Sequence, residues 1–488
     1  MIPRSSGILL HITSLAGNYG IGTLGECSRE FIDFLHKAGQ KVWQILPTGP
    51  TGYGDSPYQT FSAFAGNPLL LDLMQFCEEG LLSRKDTMPL YDAERTKVDY
   101  GQLLPLKYAL LHKAWLKFKP DELFHDFCQR ESFWLDDFSL FMAIKNHFQG
   151  ASWLNWNDDI RLRQTEALDL YRKRLAGEIE YHKFLQYKFS SQWQTLKDYA
   201  AENSLLIMGD LPIFIAQDSA DAWSHPDLFL FDDNRRPTLV AGVPPDFFSA
   251  TGQLWGNPLY DWKAMEEDDF DWWIDRIRTM LAMVDLIRID HFRGFAGYWA
   301  VPAGAATAEP GSWKSAPGEK FFTKLKSTLG DLPIIAEDLG VITPDVVKLR
   351  DDFHLPGMKI LQFAFGNGLE NPFLPHNYNE NCVAYTGTHD NDTLQGWFEK
   401  IPEAERAFVR EYLHHKGNDI CWAMISAAWS SPAFLAIAPM QDFLCLGSWA
   451  RMNTPGQPAG NWQWKMKKGQ LSGKLTAKIH SLNRGSNR

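Results

Sequence analysis

The sequence predicts an α/β fold in which eight parallel strands, each followed by a helix, close into a (β/α)8 or TIM barrel. Short apolar runs recur along the 488 residues, amphipathic helical stretches separate them, and several runs are hydrophobic nearly throughout, as parallel strands covered on both faces are. The runs lie at 7–13, 42–47, 204–212, 286–290, 333–338, 358–365, 382–390 and 433–439. The helical stretches lie at 26–39, 177–203, 269–283, 317–329, 343–352, 403–414 and 417–428. A doubly wound sheet also alternates strands and helices, so the count leaves that alternative open.

Two long connections divide the predicted barrel. Residues 1–74 hold its first two βα units, and residues 75–176 read as an inserted, mainly helical subdomain. The rest of the barrel, 177–466, contains a second insertion at 213–268, which is rich in Pro, Gly and aromatic residues. We expect a functional loop there, because long structureless loops are uncommon in compact domains. Residues 467–488 read as a basic surface tail, a helix with a frayed end. The eighth predicted strand ends near 439, and the roughly fifty residues after it are too few for a C-terminal β-sandwich domain.

Composition excludes several classes of protein. The net charge is −11, and 45% hydrophobic with 22% charged residues is an ordinary globular composition without the basic balance of a nucleic-acid-binding protein. The six cysteines form no CxxC pair, which argues against a zinc knuckle and fits a reducing cytosol. The N-terminus is too short and polar for a signal peptide, and no run approaches the roughly 18 apolar residues of a membrane span. We expect a soluble, cytoplasmic protein without membrane or nucleic-acid partners.

A glycine pattern near the N-terminus matches the dinucleotide-binding motif GxGxxG. Its glycines are Gly20, Gly22 and Gly25, and a helix follows them. They lie about seven residues beyond the predicted strand instead of in its first turn, and the second strand ends in Leu46-Pro47 with no acidic residue for a ribose. A glycine-rich loop at the barrel mouth is therefore the favoured interpretation, with dinucleotide binding as the alternative.

Carboxylates at strand ends give the strongest chemical signal. Strand alternation puts Arg288 and Asp290 on one side of the fourth strand, where the arginine can keep the carboxylate ionised and oriented. Glu337 ends the next strand, about 4.8 Å away, so the two carboxyl groups can approach the roughly 5–5.5 Å of a retaining glycosidase pair. His389 and Asp390 end the seventh strand at the same rim. The alternative is a set of solvated loop acids and helix caps, but three such motifs at one barrel rim favour catalysis.

Two loops add aromatic and polar groups suited to sugars. They are residues 52–59, which contain two tyrosines, and 244–258, which contain Phe247, Phe248 and Trp255. Sugars stack their C–H faces on aromatic rings and exchange hydrogen bonds through their hydroxyls. The alternative for these aromatic residues, above all for one of the two phenylalanines, is loop packing.

Long segments of the chain together resemble glycoside hydrolase family 77, the amylomaltases or 4-α-glucanotransferases, also called disproportionating enzymes. The segments are WQILPTGPTGYGDSPYQ, GDLPIFIAQDSADAW, PPDFFSATGQLWGNPLYDW, IRIDHFRGFAGYW, IIAEDLG, YTGTHDND and NTPGQPAGNWQW. The resemblance runs from about residue 5 to 466 and implies a (β/α)8 barrel related to that of α-amylases. Lys465 departs from the arginine expected in many relatives, away from the chemistry.

The resemblance also implies site roles. It makes Asp290 the nucleophile, Glu337 the general acid/base and Asp390 the stabiliser of the transition state. It places Arg288, His389 and His291 around the nucleophile and donor sugar, and Asp210 in a supporting role at the end of the third strand. The further residues that it places along the glucan groove are Tyr58, Ser56, Asp246, Gln253, Trp255 and Asn461.

The implied activity is retaining transfer of an α-1,4-glucan segment to the 4-hydroxyl of another glucan or of glucose, without metal or cofactor. The partners expected are therefore maltooligosaccharides, longer α-1,4-glucans and glucose. A hydrolytic α-amylase is one alternative, disfavoured by the short C-terminus and by two aromatic-rich loops that can exclude water. A non-catalytic glucan-binding protein is another, but it has no need to hold three acids together.

Overall fold

The computed structural model describes residues 2–92, 94–245, 249–417, 419–457 and 459–488. Asp246, Phe247 and Phe248 lie outside the described residues. The strands are β1 Ser5–Leu9, β2 Val42–Gln44, β3 Leu206–Pro212, β4 Leu239–Val243, β5 Gln253–Pro258, β6 Leu286–Asp290, β7 Gly297–Pro302, β8 Ser312–Ser315, β9 Ile334–Ala336, β10 Gly357–Ile360, β11 Cys382–Tyr385 and β12 Leu435–Pro439. The helices are α1 Glu26–Lys37, α2 Leu73–Glu78, α3 Arg84–Thr87, α4 Tyr100–Trp115, α5 Glu122–Arg130, α6 Ser132–His147, α7 Asp158–Arg161, α8 Thr165–Arg174, α9 Ala176–Glu202, α10 Ala220–Ser224, α11 Trp262–Glu267, α12 Asp271–Met283, α13 Gly318–Leu329, α14 Pro344–Asp352, α15 Leu394–Lys400, α16 Glu403–Tyr412, α17 Ile420–Ser430, α18 Met440–Phe443 and α19 Gly473–Gly485.

Eight parallel strands form the predicted barrel, in the order β10-β11-β12-β1-β2-β3-β6-β9. The ring closes where the amide of Ala336 donates to the carbonyl of Pro356, 2.8 Å away and one residue before β10. Each apolar run overlaps one barrel strand, and the TIM-barrel prediction is confirmed. Most strands are shorter than their runs because the chain turns out toward the rim; the first run, for example, ends as a strand at Leu9, and a 3-10 turn follows at Ile12–Ser14.

Burial on both faces of the strands explains the continuous hydrophobic runs. Val42, Met208 and Leu286 belong to a buried cluster contributed by neighbouring strands of the barrel. The next residue on β2, Trp43, packs on Phe31 of α1 with ring centroids 5.2 Å apart. Successive side chains of one strand therefore contact the interior and the surrounding helices in turn.

The connection between β2 and β3 contains α2 to α9, as its sequence indicates. The buried ammonium of Lys107 on α4 donates to the carbonyl of Leu69 at 2.6 Å, and Gln186 on α9 both donates to and accepts from the backbone of Gly66. These contacts hold the helices on the segment that follows β2. Helix α2 begins at Leu73, so it crosses the expected boundary at 74/75, and the division into subdomains stays a prediction.

The region 213–268, predicted as a functional loop insertion, contains regular secondary structure. Strands β4 and β5 lie in it, and together with β7 and β8 they form an antiparallel sheet in the order β5-β4-β7-β8. β4 pairs with β7, which follows β6, so this pairing joins two segments that lie far apart along the chain. Trp255 is consequently a strand residue of β5.

The C-terminal segment forms the predicted surface helix, α19, but the end of this helix is docked on the barrel and not frayed. Oδ1 of Asn483 on α19 accepts hydrogen bonds from Ser6 Oγ at 3.0 Å and from Trp429 Nε1 at 2.7 Å. Arg488 donates to the carbonyls of Ser5 and Ala433. After β12 the described residues contain helices and turns but no strand. Within the described ranges no helix is both long and apolar enough to cross a bilayer.

Candidate active site

The end of β6 carries a charge network centred on Arg288. Its Nη1 donates to both carboxylate oxygens of Asp210 at 2.7 Å, and its Nη2 donates to Oδ1 of Asp290 at 2.9 Å. The hydroxyl of Tyr58 donates to the same Asp210 carboxylate at 2.7 Å. Burial alone would lower the pKa of Arg288, but the charges of Asp210 and Asp290 raise it well above its usual value. One permanent cation therefore orients two carboxylates, of which Asp210 is fully buried and Asp290 is 29% exposed.

Glu337 lies beside Asp290 because of the register of two neighbouring strands. Ile289 pairs with Ala336 in parallel, so the next residue on each strand emerges at the same level of the rim. Oε2 of Glu337 accepts a hydrogen bond from the amide of His291 at 2.7 Å. Burial, and secondly the negative charge of Asp290, raise the pKa of Glu337 to about 8. A protonated carboxyl at neutral pH thus adjoins a carboxylate that is oriented by arginine.

The chain turns sharply directly after Asp290. His291 has φ +54°, in the left-handed region that non-glycine residues rarely adopt. Its amide is held by Glu337, and the carbonyl of Glu337 accepts from the amide of Phe292 at 3.1 Å. The His291 ring meets Trp255 edge to face with centroids 4.8 Å apart, and burial lowers its pKa to about 4. These contacts fix the turn that exposes Asp290 to the groove.

Asp390 is more exposed than the other two acids, at 43% of its side chain. Its Oδ1 accepts from Asn453 Nδ2 at 2.6 Å and lies 3.3 Å from His389 Nε2. The guanidinium of Arg451 donates to the backbone carbonyl of Asp390. The third predicted acid therefore shares the rim but is held by loop residues, and no arginine among the described side chains bridges its carboxylate.

An aromatic floor, formed by Tyr58, His389 and Trp462, lies between these groups. Tyr58 stacks on His389 with centroids 5.2 Å apart at 18°, and Trp462 contacts both rings at 5.8 and 5.9 Å. His11 is buried behind the floor, where its Nδ1 accepts from the amide of Leu46 at 3.3 Å. Burial, and secondly His389, lower the pKa of His11 to about 3, so it packs there as a neutral ring. Such a floor suits the apolar face of a sugar.

The remaining predicted groove residues contact their own loops. Ser56 Oγ accepts from the amide of Tyr58 at 3.2 Å, and Gln253 Oε1 accepts from Trp255 Nε1 at 3.2 Å. The amide of Asn461 exchanges hydrogen bonds with the backbone of residues 454 and 457. Their contacts with sugar stay predictions, and Asp246 lies outside the described residues.

Sequence reasoning missed three residues of this site: His11, Arg451 and Asn453. The rule that catalytic groups end the barrel strands does not find them, because two of them lie well past the end of β12 at Pro439. One signal was available. Arg451 and Asn453 are two residues apart, so an extended chain presents both on one side.

Two glycines of the GxGxxG pattern are explained by packing, and the third, Gly20, by its φ of +77°. A Cβ on Gly22 would lie 1.9 Å from the carbonyl oxygen of Ile12, and one on Gly25 would lie 2.1 Å from Oδ2 of Asp72. The same carboxylate accepts a hydrogen bond from Thr23 Oγ1 at 2.7 Å. A side chain of the protein itself, that of Asp72, therefore lies at the start of α1. Among the described side chains, no three His, Cys, Asp or Glu converge as metal ligands would.

A closed parallel barrel with a paired carboxylate and carboxylic acid at the ends of β6 and β9 defines a barrel protein of the glycoside hydrolase type. The glycoside hydrolase family 77 model, described as 4-alpha-glucanotransferase, matches residues 10–472. The chain belongs to this family.

Individual relatives agree with that membership. A 4-alpha-glucanotransferase of Thermus thermophilus is 49% identical over 495 residues, which cover 99% of this chain and 98% of that protein. One of Clostridium butyricum is 50% identical, with 97% of this chain and 99% of that protein covered. The structure of an amylomaltase from Streptococcus agalactiae in complex with acarbose superposes with a TM-score of 0.96 at 43% identity, covering 99% of each chain.

Proposed function

We propose that this protein is a 4-α-glucanotransferase, which moves a segment of one α-1,4-glucan to the 4-hydroxyl of another glucan or of glucose with retention of configuration. The observation that carries the proposal is the pair at the ends of β6 and β9. Arg288 holds Asp290 2.9 Å away, whereas burial and the charge of Asp290 raise the pKa of Glu337 to about 8. Two carboxyl groups in opposite protonation states are what retaining glycosyl transfer requires.

In the first step, Asp290 attacks the anomeric carbon while Glu337 gives its proton to the glycosidic oxygen. The bond to the leaving glucan breaks, and an ester forms between the donor sugar and Asp290. Arg288 stays bonded to the buried Asp210, so the attacking oxygen does not have to be oriented again. The aromatic floor supports the sugar ring, and Asp390 is placed to bind its hydroxyls.

In the second step, Glu337 acts as the base. Ester formation removes the charge of Asp290, which is the second cause of the raised pKa of Glu337, so Glu337 holds a negative charge more easily. It takes the proton from the 4-hydroxyl of the acceptor glucan, whose oxygen attacks the anomeric carbon and releases Asp290. Two inversions give net retention, and the products are one longer and one shorter glucan.

The competing acceptor is water at about 55 M. A bound sugar reacts with the ester in preference to water only if it is well positioned. Effective molarities of well-oriented groups reach about 10⁵ M or more. Trp255 lies beside the nucleophile, against His291, and we assign it to the acceptor side of the groove. A cytoplasmic location is proposed from the six cysteines, all of which are free thiols.

The test is incubation with pure maltotriose followed by product sizing. A ladder that extends above three glucose units, with glucose among the products, is expected. Shorter sugars alone would mean a hydrolase and would contradict the proposal. The Asp290→Asn variant is the control. Its amide has nearly the volume of the carboxylate and can still accept a hydrogen bond, but it cannot form the ester.

A further inference from the structure

The loop that carries His389 and Asp390 is attached at both ends to one buried carboxylate. Asp442 lies on α18, directly after β12, and is buried. Its Oδ2 accepts a hydrogen bond at 2.7 Å from Oγ1 of Thr386, the first residue after β11. Its Oδ1 accepts one at 2.8 Å from the amide of Leu394, the first residue of α15. The two groups that face the donor sugar therefore lie between two attachment points of Asp442.

Hydrogen bonds within this loop fix its shape. Asn391 Oδ1 accepts from the amide of Thr388 at 2.8 Å and from Thr388 Oγ1 at 2.9 Å. The amide of Asp390 donates to the same hydroxyl at 3.3 Å. Because the loop is braced internally, the place of Asp390 in the groove depends on how the whole loop is attached to the barrel.

A cavity beneath the loop makes the attachments to Asp442 more important. It has a volume of about 20 Å³ and lies between the loop and the residues that follow β12. Its lining includes His389, Asn391 and Asp392 of the loop, and Gln441, Asp442 and Arg451 of the opposite side. Atoms that line a void lack packing partners on that side, so hydrogen bonds have to supply part of what holds the loop there.

We propose that Asp442 is a positioning residue for glucan transfer, which holds both ends of the loop and so sets His389 and Asp390 against the donor sugar. This role rests on the proposed function, since the contact of the loop with the donor sugar is part of it. Asp442 itself touches no sugar and acts through the loop. A displacement of about 1 Å at groups that position a substrate can cost about 10²-fold in rate.

An amide should be able to replace this carboxylate. Burial raises the pKa of Asp442 to about 7, and among the described side chains no lysine or arginine forms an ion pair with it. In Asp442→Asn, the amide oxygen can accept from Leu394 and the amide nitrogen can donate to Thr386 Oγ1. We therefore expect Asp442→Asn to keep most of the native kcat, whereas Asp442→Ala loses both attachments.

Asp72→Ala is the matched control for Asp442→Ala. Oδ2 of Asp72 accepts from Thr23 Oγ1 at 2.7 Å, and its Oδ1 accepts from the amide of Met74 at 2.9 Å. This buried carboxylate thus binds the same two kinds of donor, but it joins the segment before α1 to the start of α2 and holds no loop with a proposed site residue. A loss of stability alone should affect both alanine variants in the same way.

The experiment measures kcat and KM of each folded variant on maltotriose and on maltosyl fluoride. For Asp442→Ala, kcat should fall about 10–10²-fold on both substrates, because both present the same donor sugar to the loop. KM should change less than kcat, since Asp390 is assigned to the transition state. Asp72→Ala should keep most of the native kcat on both substrates.

Thr386→Val decides the question if Asp442→Ala does not fold. It removes one of the two attachments and should lower kcat on both substrates, whereas its control, Thr23→Val, should not. Native kcat in the folded Asp442→Ala variant, or in Thr386→Val where the first does not fold, would overturn the proposal. So would an equal loss in the matched control, a loss in Asp442→Asn as large as in Asp442→Ala, or a loss confined to maltotriose.

The proposed function is tested separately in the same experiment. If the native chain releases only shorter sugars from maltotriose, glucan transfer is contradicted. The comparison of the variants on maltosyl fluoride still reports the role of Asp442, because it follows the use of the donor sugar and not the choice of acceptor.

Discussion

The two sides of the catalytic rim are built in different ways. On the β6 side, Arg288, Asp210 and Asp290 lie on barrel strands, and their bonds of 2.7 to 2.9 Å are nearly sealed from solvent. On the β11 side, Asp390 is 43% exposed and is held by Asn453 from a segment that follows the last strand. Strand register fixes the first side, whereas loop contacts fix the second.

This difference separates two kinds of contribution to catalysis. A buried charge network costs much to disrupt, because removing one partner leaves another charge without compensation in a medium of low dielectric constant. An exposed carboxylate held by an amide can be weakened without loss of the fold. The β6 side should therefore govern stability and chemistry together, and the β11 side should govern sugar binding and rate alone.

The largest effect is expected from Arg288→Met. The substitution leaves the buried Asp210 without its cationic partner and Asp290 without the group that orients it. We therefore expect loss of turnover and a decrease of about 3–5 kcal/mol in the free energy of unfolding at pH 7. The folded-state pKa of Asp210 would rise in the variant, so the folded protein would bind more protons than the unfolded chain. The stability of the variant should therefore increase as the pH falls from 7 toward 4.

Urea denaturation at pH 7 and pH 5 measures this effect. The control is Arg276→Met, since Arg276 is equally buried but donates to the carbonyls of Pro212 and Ile213 and to Tyr260. The control should lose less stability and should recover less of it at low pH, because Arg276 lowers the pKa of the buried Asp221 by its charge but donates its hydrogen bonds to uncharged groups. If the two variants lost the same stability and recovered it equally at low pH, the paired carboxylates would not account for the stability of the β6 side.

Glu337→Gln should lower the transfer rate on maltotriose by about 10²–10⁴-fold, because an unactivated sugar leaving group needs a proton. With maltosyl fluoride, whose leaving group needs none, the loss should be much smaller. In the native protein, kcat/KM should fall as the pH rises through about 8, where Glu337 loses its proton. Equal losses on both substrates would exclude Glu337 as the acid.

Asn453→Ala tests the β11 side. We expect kcat/KM to fall about tenfold, which is the order of one lost hydrogen bond to a charged group, with no change in the urea midpoint. Asn461→Ala is the comparison, because that amide bonds within its own loop. If Asn461→Ala lowers kcat/KM as much as Asn453→Ala does, the bond to Asp390 is not what distinguishes Asn453 within this segment.

The smallest effect on overall turnover is expected from Trp255→Ala, because this substitution acts on the choice of acceptor. Loss of stacking should weaken acceptor binding by about 1–3 kcal/mol, by analogy with ring stacking on nucleic-acid bases, and raise the ratio of hydrolysis to transfer on maltotriose. Leu254→Ala is the matched control, since this neighbouring residue of β5 projects to the opposite face of the sheet and is 41% exposed. A fall in rate with an unchanged ratio would assign Trp255 to the donor sugar or to packing.

The acids of the β6 side can be predicted from the sequence because short-range patterns indicate their positions. Alternation places Arg288 with Asp290, and the rule that neighbouring parallel strands end together places Glu337 beside them. What alternation alone does not predict is the second partner of Arg288. Asp210 pairs with Arg288 in the register of β3 and β6, across 78 residues of sequence.

The remainder depends on contacts between distant segments. The sheet of β4, β5, β7 and β8 pairs residues on either side of β6, so its strands resemble loops when they are read separately. Asn453 reaches Asp390 from a polar segment without periodicity, and His11 is buried near His389 of a distant strand end. The two-residue spacing of Arg451 and Asn453 indicates that they share one side of the chain, but it does not indicate that they meet Asp390.

Trapping the ester tests the central claim most directly. The Glu337→Gln variant, incubated with maltosyl fluoride, should form the glycosyl-enzyme without acid help and resolve it slowly, because no base remains to activate an acceptor. We predict a mass increase of one maltosyl unit that maps to the peptide containing Asp290 and disappears when Asp290→Asn is added to the variant. Turnover of the fluoride without any adduct, or an adduct on another residue, would contradict the assignment of Asp290 as the nucleophile.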